Sequence, residues 1–89
     1  MKLVKIIGSV TSTIKDDTLK EFKLLMVRTT GPDLKDTGDY YVAADTVGVG
    51  VGELALIVTG SAAKQTAATM GKNIDATIVA RVDKINLEK

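Results

Sequence analysis

The sequence of 89 residues contains no cysteine, no histidine and no tryptophan. Without cysteine there is no disulfide framework, thiolate metal site or cysteine nucleophile. Without histidine the commonest general base and the commonest metal ligand are both missing. Aromatic side chains are also scarce, with one Phe and two Tyr, which is few for a surface that stacks bases or sugars. We therefore expect no catalytic residues, no metal site and no cofactor.

The sequence also lacks an excess of positive or negative charge. The chain has 12 basic and 11 acidic residues and a net charge of +1, which gives no electrostatic footprint for nucleic acid or an anionic membrane. The first ten residues are interrupted by Lys5 and Gly8 and lack the apolar region of a signal peptide. No apolar run approaches the length that spans a bilayer. We expect a soluble cytoplasmic protein with neither nucleic acid nor membrane as a partner.

The residue types favour strands over helices. Ten Val, seven Ile and eleven Thr stand against eight Leu, and β-branched residues are enriched in sheets. The length fits a single domain over residues 1–89. Val4, Ile6 and Val10 are expected on one face of the first strand, with Gly8 as a bend, and the fifth strand shows regular apolar and polar alternation. Five strands are predicted, over residues 3–12, 22–30, 40–44, 53–59 and 74–85.

Two of these strands have no polar face. Residues 24–27 and 54–58 are continuously apolar. In a small barrel whose outer face meets solvent, apolar and polar residues should alternate along each strand. Contiguous exposed apolar area of that kind is rare on monomers. Both strands therefore indicate that something, most simply another subunit, covers the outer face of the barrel.

A short helix is predicted over residues 61–70, between the fourth and fifth strands. The segment is rich in alanine, and Ser61 is a suitable N-cap. Its first N–H groups together with Lys64 could hold an anion, although a cap at a subunit contact is the favoured interpretation. Five strands with one short helix and glycine bends describe a small all-β barrel.

Three aspartates in the polar connection before the third strand also merit a test as metal ligands. Asp33, Asp36 and Asp39 fall three residues apart. They lack the spacing, the central glycine and the terminal Glu of an EF-hand loop. We therefore interpret this segment as a turn or a longer hairpin loop.

Glycine occupies every second position at Gly48, Gly50 and Gly52, just before the fourth strand. A dinucleotide-binding fingerprint is excluded because Glu53 stands where its third glycine belongs and a strand follows, and a phosphate loop is excluded because no Gly-Lys-Ser/Thr triplet exists. What remains is a tight loop that enters a buried strand, whose path or packing excludes side chains.

The sequence around this loop combines Asp45, Val47, Gly48, Gly50, Gly52 and Glu53, the apolar run 54–58, and Gly60, Ser61, Ala62, Ala63 and Lys64. This pattern resembles the EutN/CcmL family, the pentameric vertex proteins of bacterial microcompartment shells. Further similarity lies in the first three strands, so that the resemblance covers nearly the whole chain. Val49 departs from it, since many members carry alanine there, and Lys64 stands where many carry arginine.

The resemblance implies a five-stranded barrel similar to OB-fold barrels and a structural role. The subunit would form a cyclic homopentamer at the vertices of a shell and would meet hexameric shell proteins there. The alternative from a different class is a monomeric OB-fold-like binding module for single-stranded nucleic acid or oligosaccharide. The residues expected at subunit or shell contacts are Gly48, Gly50, Gly52, Gly60, Ser61, Ala62, Ala63 and Lys64.

Overall fold

The computed structural model describes residues 1–11, 22–60 and 76–86. Its strands close into one barrel in the order β1-β2-β3-β5-β4. β3 and β5 pair in parallel, and the other neighbours pair antiparallel. The prediction of an all-β, five-stranded barrel is confirmed, while the predicted helix over 61–70 lies outside the described residues. The strands are β1 Lys2–Val10, β2 Lys23–Thr30, β3 Asp36–Asp45, β4 Leu54–Thr59 and β5 Ala76–Val82.

The interior of the barrel is filled mainly by alanine and β-branched side chains that alternate along the strands, together with Leu25. Such residues pack well on a pleated surface and fit the narrow inside of a five-stranded barrel. One member of this core, Val49, comes from a loop instead of a strand. The core residues are Val4, Ile6, Leu25, Val27, Ala43, Val49, Ala55, Ile57, Ala76 and Ile78.

A β-bulge interrupts β1. Its register against β2 shifts between Ile6 and Gly8, so Ile7 is the extra residue. Beyond the bulge Val10 pairs with Leu24, which lies on the outer face of β2. The predicted irregularity at Gly8 is confirmed, but the prediction that Val10 continues the face of Ile6 is wrong. The extra residue moves every later side chain to the opposite face.

A second bulge interrupts β5, which the sequence predicts to be the most regular strand. The register of β4 and β5 shifts between Leu56 and Ile57, and Val79 is the extra residue of β5. Ile78 therefore lies in the core, whereas Ala80 pairs with Leu56 on the outer face. The predicted alternation over the whole strand is wrong because it assumes an unbroken ladder.

The third strand begins earlier than predicted, at residue 36 instead of 40. Residues 37–39 lie opposite the single residue Thr29. The Thr29 hydroxyl accepts the N–H of Asp39 at 3.3 Å and is hydrogen-bonded to the hydroxyl of Thr37. Gly38 supplies a positive φ of 91°. These polar residues, which the sequence suggests are part of a connecting loop, therefore form a bulged strand. The Thr29 hydroxyl can hydrogen-bond to the additional residues that lie opposite it.

The outer face of the barrel is apolar along β2 and β4, as predicted. Leu24 and Val58 pack with Phe22 around the buried Ala44 in a second, smaller cluster. Other apolar side chains on the outside are half-buried or exposed within the single chain. These include Met26, Val42, Leu54 and Leu56.

Candidate subunit interface at the glycine loop

The glycine loop, defined here as residues 46–53, connects β3 to β4 and carries the three alternate glycines. Its middle valine, Val49, is only 2% exposed and packs in the barrel core. The two flanking valines point the other way, with Val47 46% and Val51 65% exposed. The loop therefore anchors itself through one valine and presents two others to the outside.

The carboxylate of Asp45 fixes the first half of the loop. Its Oδ1 accepts the backbone N–H groups of Val47 at 2.9 Å and Gly48 at 2.8 Å. Its Oδ2 accepts the N–H of Val49 at 3.0 Å. A short acidic side chain at the start of a turn satisfies N–H groups that have no strand partner. Three charge-assisted hydrogen bonds to one carboxylate hold this part of the backbone.

The carboxylate of Glu53 fixes the second half. Its Oε1 accepts the N–H of Gly50 at 2.7 Å, and the backbone N–H of Glu53 donates to the Gly50 carbonyl at 3.1 Å. Arg81 Nε lies 3.8 Å from the other carboxylate oxygen and donates to Asp83 Oδ1 at 3.0 Å. These charged side chains are about half exposed or more, so the ion pairs contribute little free energy. The main effect of Glu53 is on the backbone geometry.

Three further hydrogen bonds attach the loop to the barrel. The N–H of Gly52 donates to the Ile6 carbonyl at 2.8 Å, and the N–H of Ile6 donates to the Glu53 carbonyl at 2.9 Å. On the other side, the hydroxyl of Thr46 donates to the carbonyl of Ile78 at 2.8 Å. The loop is thus joined to both β1 and β5 and continues the barrel wall.

The three glycines are required for two different reasons. Gly48 and Gly52 have φ values of 95° and 90°, in the region that side chains disfavour. A Cβ on either would meet no atom within 4 Å, so the constraint is conformational. Gly50 has no such φ, but its Cβ would lie 3.0 Å from Glu53 Oε1. The prediction that either the backbone path or close packing excludes side chains holds. The backbone path is the cause at Gly48 and Gly52, and close packing is the cause at Gly50.

Gly60, another predicted contact residue, lies at the other end of β4. Gly60 follows that strand directly, is exposed and has a φ of 62°. Because β4 has 6 residues, it separates Gly60 from the glycine loop by about 20 Å. Ser61, Ala62, Ala63 and Lys64 lie outside the described residues.

Within the described ranges, neither a metal centre nor a membrane-crossing helix is found. No group of three or more acidic side chains there could hold a metal ion. Of the three spaced aspartates, Asp33 accepts the N–H of Lys35 at 3.1 Å and so belongs to the β2–β3 turn. No helix in the part of the chain that the structure describes is long and apolar enough to cross a membrane.

Sequence reasoning missed three functional details of the loop. It included Asp45 and Glu53 in the motif without giving either a role, and it did not place Val49 in the core. An acidic residue just before a glycine-rich turn is a signal for side-chain capping of backbone N–H groups. No comparable signal separates Val49 from its exposed neighbours, because all three valines stand between small residues.

Comparison with known proteins gives a consistent result. A family model described as "Ethanolamine utilisation protein EutN/carboxysome" matches residues 1–83. The carboxysome shell vertex protein CcmL of Thermosynechococcus vestitus is 44% identical over 86 residues, which cover 97% of this chain and 87% of that protein. The bacterial microcompartment shell vertex protein GrpN of Rhodospirillum rubrum is 40% identical over 96% of both chains.

The folds also agree. A solved structure described as the GrpN pentameric microcompartment shell protein from Rhodospirillum rubrum superimposes with a TM-score of 0.88 at 39% sequence identity. The superposition covers 99% of this chain and 100% of the other. The likeness thus extends over nearly the full length of both chains.

Proposed function

Because this chain belongs to the EutN/CcmL family, we propose that it is a structural subunit of a bacterial microcompartment shell. Five copies would form a cyclic ring that closes the vertices of the polyhedral shell. The observation that carries this proposal is the end-to-end likeness to a protein described as a pentameric shell protein, with 99% and 100% of the two chains covered. The function is then geometric, since a five-fold unit adds the curvature that flat layers of six-fold units lack.

The outer surface of the barrel supports assembly. Met26, Leu54 and Leu56 are only half-buried in the single chain, and Val42 is exposed. Burying such area between subunits stabilises an assembly by roughly 25 cal/mol for each Å² removed from water. A small barrel gains more from association than a large one, because it buries a smaller share of its own surface.

The contact elements that we propose are the glycine loop, at Gly48, Gly50 and Gly52, and the segment that begins at Gly60 and runs through Lys64. The glycine loop and Gly60, which is the described residue of the second element, lie at opposite ends of β4. In a ring each subunit uses two different surfaces, one for each neighbour. Two separated contact elements suit that arrangement, and hexameric shell proteins are the further partners that a vertex subunit would meet.

We also propose that the chain is not an enzyme and uses neither nucleic acid nor a membrane as a partner. The relatives carry the names of shell vertex proteins. The absence of histidine and cysteine from the sequence leaves few side chains for acid–base or nucleophilic chemistry. The near-neutral charge gives little attraction for phosphate backbones.

Native mass spectrometry at several protein concentrations tests the ring directly. We expect a dominant pentamer. Co-expression with a hexameric shell protein should then give closed particles in electron micrographs, and omission of this chain should leave open sheets or tubes. A monomer at every concentration, with salt-dependent binding to single strands, would contradict the proposal and favour the OB-like binding module.

A further inference from the structure

The two exposed valines of the glycine loop are held in an unusual way for surface side chains. Val47 is 46% and Val51 65% exposed, yet the backbone N–H groups of residues 47–50, 52 and 53 all donate hydrogen bonds. Val49 between them is fixed in the core. Apolar side chains on a backbone that is already ordered lose little conformational entropy when a partner covers them.

The two carboxylates at the ends of the loop, those of Asp45 and Glu53, accept hydrogen bonds from the backbone of the loop. Asp45 uses both carboxylate oxygens for backbone N–H groups. Glu53 uses one oxygen for the Gly50 N–H, while its other oxygen lies 3.8 Å from Arg81 Nε. The exposed residues of the loop, which are Thr46, Val47, Gly48, Val51 and Gly52, carry no charge. Depletion of charge around apolar side chains is typical of the centre of a protein interface.

We propose that Val47 and Val51 are the side chains through which the glycine loop contacts a second copy of this chain, with Asp45 and Glu53 as positioning residues. The proposal rests on the proposed function and specifies its contact. The comparison favours a second copy as the partner that covers the loop. The protein described as a pentameric shell protein aligns with 99% of this chain across 100% of its own length. In a ring of identical subunits, each subunit contacts one neighbouring copy on each side.

The first test replaces both valines by serine. The V47S/V51S variant keeps the glycines and the carboxylates but removes the apolar contact, and we expect its ring to dissociate at about tenfold higher protein concentration or more. Native mass spectrometry over a dilution series measures the change. The matched control is Leu34→Ser, since Leu34 is 58% exposed in the β2–β3 turn, and its ring should dissociate at the unchanged concentration.

The second test concerns the positioning residue Glu53. Glu53→Gln keeps an oxygen that can accept the Gly50 N–H, whereas Glu53→Ala does not. We expect Glu53→Ala to weaken the ring and Glu53→Gln to restore most of its stability. Urea unfolding at a dilution where all forms are monomeric should differ little between the two. A loss confined to monomer unfolding would mean that Glu53 stabilises only the fold, and would overturn its positioning role.

Three results would overturn the contact assignment. One is a V47S/V51S ring that dissociates within about twofold of the unchanged protein. Another is an equal loss in the Leu34→Ser control. The third is an intact ring that no longer joins hexameric shell proteins, because the loop would then contact a shell protein instead of a second copy. If the unchanged chain forms no ring at all, the proposed function fails as well, so the two failures are distinguishable.

Discussion

Val49 is the residue whose substitution most sharply tests how the glycine loop is attached. It is 2% exposed within the core cluster, although it lies in a loop. Val49→Ala removes two carbon atoms from that core. At about 0.8 kcal/mol for each buried carbon, the lost transfer free energy is roughly 1.6 kcal/mol, and the cavity raises the cost to about 2–3 kcal/mol. For a domain of 89 residues, this lowers Tm by roughly 10 to 20 °C.

The assay is urea unfolding followed by circular dichroism, at one protein concentration and again at a tenth of it. Two concentrations are needed because subunit association adds to the apparent stability. Leu34→Ala is the control, since Leu34 is exposed in a turn, and it should cost less than about 0.5 kcal/mol. A cost for Val49→Ala below that same value at both concentrations would refute the packing argument. It would show that the loop is held by its hydrogen bonds alone.

Further substitutions separate the other constraints on the loop. Gly52→Ala places a side chain at a φ of 90° and should cost about 1–3 kcal/mol in urea unfolding. Gly50→Ala should cost less, because the atom its Cβ meets is the movable carboxylate of Glu53, while Gly50→Val should reduce ring formation in native mass spectrometry before the barrel unfolds. Asp45→Asn replaces one of two accepting oxygens, so it should cost about 1–2 kcal/mol and speed hydrogen exchange at the Val49 amide.

The barrel was predictable from the sequence to the extent that its strands follow local rules. β-branched residues and glycine punctuation locate all five strands, and both the number of strands and the family resemblance predict their closure into a small barrel. The alternation in β1 and β5 fails beyond Ile7 and Val79, the extra residues of two bulges. A bulge depends on the partner strand as well as on its own sequence. Which face of the sheet Val10 and Ala80 occupy therefore depends on strand pairing, and the local sequence does not predict it.

The candidate site was predictable only in part for a similar reason. Alternate glycines identify a constrained loop, and Gly48 and Gly52 have the positive φ that such a pattern suggests. The roles of Asp45 and Glu53 depend on which backbone N–H groups face them, and this follows from the path of the folded loop. Residue type and spacing alone do not determine that path.

The alternation of three valines with three glycines separates folding from assembly along one short segment. Val47, Val49 and Val51 have the same side chain, yet only Val49 enters the core, while the other two remain exposed. A substitution at Val49 should therefore act on the barrel of a single chain, and a substitution at Val51 should act on contacts between chains. If serine at Val51 lowered the stability of the monomer as much as alanine at Val49, the loop would be one packed unit, and its exposed valines would belong to the fold instead of to an interface.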